Sequence, residues 1–100
     1  MLDTVTRDDF AACVNTIFTV FPDAPDGMDL VLAEVSEPKR GPGQETFSLL
    51  FRGPTDRFLP QGMYPMAHER LNQFDLFIVP VSRDDAGFTY EAVFNRLLQE

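Results

Sequence analysis

One hundred residues with sixteen acidic and eight basic side chains carry a formal net charge of −8, a field that repels phosphate backbones and anionic lipid. The Lys and Arg residues are scattered from Arg7 to Arg96 without a basic stripe, so neither nucleic acid nor a membrane surface is an expected partner. The chain is 44% apolar, with ten Phe and no Trp, and its only cysteine is Cys13. A Phe-rich core folding without a disulfide or a multi-cysteine zinc site is expected.

The first ten residues, MLDTVTRDDF, place acids where a secretory leader needs positive charge, and no long apolar run follows. A cytoplasmic location is expected, with transport inside a larger assembly also compatible. Thr6 precedes Arg7, Asp8 and Asp9, which suits a helix cap. Phe10, Cys13 and Val14 then share one helical face, giving a short helix over residues 7–13 that ends near Asn15, a residue tolerant of left-handed backbone angles.

Residues 16–21 are β-branched and aromatic and predict a first strand with Ile17, and with it Phe21, facing inward. A Pro- and Asp-Gly-rich turn leads to a second strand over 28–37. There Leu30 and Leu32 share a parity that Val35 does not, so either both faces are covered or a β-bulge falls near Glu34. Residues 38–44, PKRGPGQ, read as a mobile hairpin tip. Strand three spans 45–52, with Phe47, Leu49 and Phe51 inward. Strand four, near 62–67, contains Pro65, which cannot donate to a ladder and belongs at an edge or bulge. Asn72 is the expected left-handed residue of the next turn. Residues 74–81 are apolar on both parities, which predicts a strand covered on both faces. Residues 88–95 alternate, with Phe88, Tyr90, Ala92 and Phe94 inward. Residues 1–100 thus read as a single, mainly β domain: an antiparallel roll or small barrel of about six strands, with the short N-terminal helix plugging an open end.

FSLLFRGP (47–54), LPQGMY (59–64), LFIVPV (76–81) and YEAVFNR (90–96), with Phe10, Cys13 and Val14 before them, resemble a family of small bacterial proteins classed as a domain of unknown function. The resemblance covers roughly residues 6–96. It implies an antiparallel β fold with no assigned activity, catalytic residue or cofactor, and neighbours of phage-tail-collar and fibre-like type. Two residues depart from the family pattern: Pro65 interrupts a strand that tends to be regular there, and Asn72 stands where Gly is expected.

No catalytic set emerges. His68 is the only histidine and lacks recognisable triad partners, so it reads as a polar turn residue. Cys13 reads as a small buried hydrophobe. Asp23, Asp26 and Asp29 surround a Gly at spacings of three, against the spacing of two in a calcium loop, and no downstream bidentate Glu follows. They are read as turn acids, and no metal or cofactor is expected. The constellation that remains is the outward parity of strands three and six. Ser48, Leu50 and Arg52 lie on one; Glu91, Val93 and Asn95 lie on the other. Were these strands neighbours, Arg52 and Glu91 would pair around an apolar centre of Leu50 and Val93, with Gln61 and Tyr64 extending the patch, or with Tyr64 instead a core aromatic whose hydroxyl reaches the rim. The sheet face competes with this reading as a merely solvated surface. The expected function is a non-enzymatic protein-interaction or assembly module, as an accessory of a phage-tail-like or fibre-type assembly, with a protein partner or a second copy. The alternative is a small β-barrel binding an apolar small molecule.

Overall fold

A computed structural model describes residues 7–23 and 26–97, without the side chains of residues 23, 26, 96 and 97. The elements are helix α1 (Arg7–Ala11) and strands β1 (Ile17–Asp23), β2 (Asp26–Val35), β3 (Lys39–Gly41), β4 (Gln44–Gly53), β5 (Gly62–His68), β6 (Asn72–Asp84) and β7 (Gly87–Leu97). The expected Thr6 cap lies outside the described residues. Strand order around the sheet is β1-β2-β4-β7-β6-β5, and β5 returns to pair with β1, so six antiparallel strands close a barrel. β3 is an added rung on β4. The stretch read as a hairpin tip therefore continues the ladder, Lys39 opposite Thr46 and Gly41 opposite Gln44, and only Pro42 and Gly43 turn.

Alternation drives the closure. Phe47, Leu49 and Phe51 of β4 point into the barrel, as do Leu30 and Leu32 of β2, Leu76 and Ile78 of β6, and Tyr90 and Ala92 of β7. Burying each of the Leu, Ile and Phe side chains among them contributes about 1.5–3 kcal/mol. The parity change on β2 is a bulge: Leu32 faces Phe51 and Glu34 faces Leu50, so Ala33 has no counterpart. β1 differs from expectation. Phe18 and Val20 are its buried residues, and Ile17 is 54% exposed. The Phe18 ring meets Phe51 edge-on at 5.2 Å and lies 6.4 Å from Phe10, contacts that select this parity over the one that would bury Ile17. Asn15 and Asn72 both adopt left-handed backbone, at φ of 70° and 64°.

Both ends of the barrel are covered. Helix α1, which ends two residues earlier than the sequence suggests, brings Phe10 into contact with Phe74 of β6 and Phe94 of β7, at 6.2 and 5.3 Å between ring centroids. At the other end the connection from β4 to β5 crosses over the barrel. It inserts Leu59 into the core, and the Leu59 N–H donates to the Tyr90 hydroxyl at 3.0 Å.

The ladders are uneven. β4 and β7 pair over ten residues, but β1 and β5 pair only at Thr19↔Ala67 and Val20↔Met66. That short ladder ends beside Pro65, which is paired on its other side with Asp75 of β6, so the proline's edge is local to one seam. β6 and β7 pair from Asp84↔Gly87 to Val79↔Glu91. Among the described residues no pairing joins the beginning of β6 to the end of β7, and the Phe10 ring fills the space beneath them.

Candidate interaction face

β4 and β7 are neighbours, as the outward-facing constellation requires, and their register decides which side chains meet. Ser48 lies opposite Val93, Leu50 opposite Glu91, and Arg52 opposite Thr89. Arg52 therefore does not face Glu91. Its guanidinium donates to the Thr89 hydroxyl at 3.0 Å and to Asp84 Oδ1 at 2.7 Å. Asp84 also accepts the Ala86 and Gly87 amides, at 2.9 and 3.1 Å. The Arg52 bond and the two amides hold its carboxyl below the usual carboxylate range. Arg52 thus braces the β6–β7 turn. Asn95 accepts from Thr46 at 3.2 Å.

Gln61 is exposed at the bend before β5. Tyr64 has the inward parity of that strand, packs against the core and donates its hydroxyl to the Pro60 carbonyl, so it shapes the bend and does not extend the outer patch.

The outer face carries a feature that the sequence reading missed. β6 is not covered on both faces: Phe74, Leu76 and Ile78 are buried, whereas Phe77 is 47% exposed. Its cross-strand neighbour on β5, Met63, is 62% exposed, and so is Val93 of β7. Continuing the Val79↔Glu91 register places Phe77 level with Val93. Met63, Phe77 and Val93 therefore form one row across three strands, with half-buried Val79 and Leu50 beside it. The missed signal was Phe77 and Val79 on the second parity of an apolar run. Outside a covered sheet, such a run presents its second parity to the surroundings. The rim is acidic, with exposed Asp75 on β6, Glu91 on β7 and exposed Glu34 on β2.

His68 is buried and belongs to a different network. Its Nδ1 accepts the Arg70 N–H at 3.0 Å, which assigns the ring proton to Nε2, and that nitrogen donates to the Thr16 hydroxyl at 2.8 Å. Thr16 in turn donates to the Cys13 carbonyl at 2.6 Å. The imidazole ties the end of β5 to the turn after α1, with Phe18 packed on its ring at 4.4 Å. Burial first, and then the Arg70 charge, push its pKa below 6.5, with Glu69 opposing. The unfolded chain therefore takes up its proton at higher pH than the folded one. The His68 contribution to stability is complete above about pH 6.5 and is lost as pH falls below it, by at most about 1.4 kcal/mol per pH unit. Urea midpoints are expected to fall between pH 7.5 and 5.5 more steeply in the wild-type chain than in His68→Gln. Parallel slopes would show that the imidazole is not the titrating group.

Cys13 is buried in the core cluster. Asp29 accepts from Thr19 at 3.1 Å, while the side chains of Asp23 and Asp26 lie outside the described residues. Among the described residues no group of three or more His, Cys, Asp or Glu is placed to hold a metal ion, and no helix is long and apolar enough to cross a membrane.

The molecule is a small closed antiparallel barrel with a helical plug, a filled interior and an apolar row on its outer face. It belongs to the family described as Domain of unknown function (DUF6916), which matches residues 5–94. No curated protein and no solved structure matches the chain.

Proposed function

We propose that this domain is a non-enzymatic protein-interaction module, acting in the cytoplasm or within a larger assembly of tail-like or fibre type, and that its outer β5-β6-β7-β4 face is the contact surface. The observation that carries the reading is the row of Met63, Phe77 and Val93. These are three large apolar side chains, Met63 and Phe77 paired across β5 and β6 and Val93 across the unpaired seam on β7, each about half exposed or more, inside a polar rim. An apolar centre with a polar border is the anatomy of a protein contact. Non-enzymatic action is supported by the commitment of both His68 nitrogens to structural hydrogen bonds and by the burial of Cys13. The alternative, an apolar ligand held inside the barrel, draws no support from an interior packed with Phe18, Phe51, Ile78 and Tyr90 and covered at both ends.

A photo-crosslinking residue at position 77, 63 or 93 in the native host is expected to give one discrete protein adduct. The same residue at exposed position 29, on β2 where it pairs with β1 and outside the proposed face, is expected to give none. Absence of an adduct from all three row positions would remove the proposal.

A further inference from the structure

We infer that the occupant of this face is an extended, cationic segment of a partner protein, seated along the open seam between the beginning of β6 and the end of β7. The inference rests on the interaction reading above and adds the partner's chemistry and conformation.

Two independent observations carry it. The first is the ladder. Pairing between β6 and β7 stops at Val79↔Glu91; among the described residues, β6 before that point is paired only with β5, and β7 beyond Glu91 only with β4. Among the described residues, each strand therefore has one side left to exchange main-chain hydrogen bonds with an added extended segment. Phe10 closes the seam from within, touching Phe74 and Phe94, so the segment lies on the outside and does not enter the core. The apolar row crosses this seam, Met63 and Phe77 on one bank and Val93 on the other. Alternate side chains of the segment would pack on that row.

The second observation is charge. On the outer face, Asp75 stands two residues from Phe77 on one bank, and Glu91 stands two residues from Val93 on the other. Arg52, a cation of this face, is already bonded to Asp84. Lys or Arg residues flanking the apolar positions would meet these acids. A second copy fits poorly, because an isologous contact would set the same acids against each other between molecules each carrying −8.

The probe is a synthetic peptide of alternating valine and lysine, compared with its valine–glutamate counterpart by fluorescence anisotropy at low and moderate salt. The lysine peptide is expected to bind the wild-type chain and the glutamate peptide is not. Phe77→Ser with Val93→Ser should weaken binding at least tenfold, and Asp75→Asn with Glu91→Gln should weaken it and flatten its salt dependence. Absence of binding overturns the inference. So does equal binding by the Phe77 and Val93 variant, which would reduce the effect to net charge. Self-association of the wild-type chain that is abolished by Phe77→Ser would overturn the cationic occupant while leaving the face an interaction surface. Crosslinking silence at positions 63, 77 and 93 would remove the underlying reading itself.

Discussion

Replacing Gly87 by alanine is expected to destabilise the barrel by roughly 3 kcal/mol or more, read as a lower urea midpoint. Gly87 opens β7 at a φ of 146°, and a Cβ there would fall 1.9 Å from the Gly53 carbonyl oxygen. That oxygen belongs to the backbone of β4, so no rotamer change relieves the clash, and the β4–β7 ladder at Gly53↔Phe88 has to separate. Gly43 provides the internal comparison. It also has positive φ, at 74°, but nothing lies within 4 Å of its added Cβ. Gly43→Ala carries the backbone strain alone and is expected to cost about 1–2 kcal/mol. Equal losses in the two variants would refute the steric account of Gly87.

Phe10→Ala is expected to cost about 3–5 kcal/mol, the range for emptying a buried aromatic site. The ring is fully buried and touches Phe18, Phe74 and Phe94, one aromatic from each of three strands. It is the main anchor of a helix of only five residues, too short to be stable by itself. The helix should therefore detach with the side chain. The β signal in far-ultraviolet circular dichroism should persist at low denaturant while the unfolding midpoint drops. A loss below about 1 kcal/mol would mean that α1 decorates the barrel and does not plug it.

The fold was largely legible because its signals are local and redundant. The period-two burial of Phe47, Leu49 and Phe51, the punctuation by Gly, Pro and Asn, and the cap-like acids before Phe10 each point to the same architecture. Asn15 and Asn72 were readable for the same reason, since their backbone preference is intrinsic. What failed depended on partners distant in sequence. Ile17 and Phe18 are both good strand residues, and only Phe10 and Phe51 decide which of them turns inward. The ion pair of Arg52 was misassigned because a register offset of two residues exchanges Glu91 for Thr89 and Asp84. The apolar row was missed because Met63, Phe77 and Val93 lie on three strands, so no single window of sequence contains it. Its β6 member was read as half of a fully covered strand, a reading that holds only where a second layer packs on the sheet.

The two-residue ladder between β1 and β5 gives the barrel a mechanical character that its closed outline conceals. A cylinder held by two rungs along this seam and by four to ten residue pairs along each of the other five behaves as a curled sheet with a clasp. Opening the clasp breaks few hydrogen bonds, whereas separating β4 from β7 breaks a ten-residue ladder. The Thr16–His68 bond lies at the end of that same seam, joining the residue before β1 to the last residue of β5. Protonation of one imidazole therefore acts where the cylinder is weakest. Mild acid should uncurl the barrel from this side before its core comes apart.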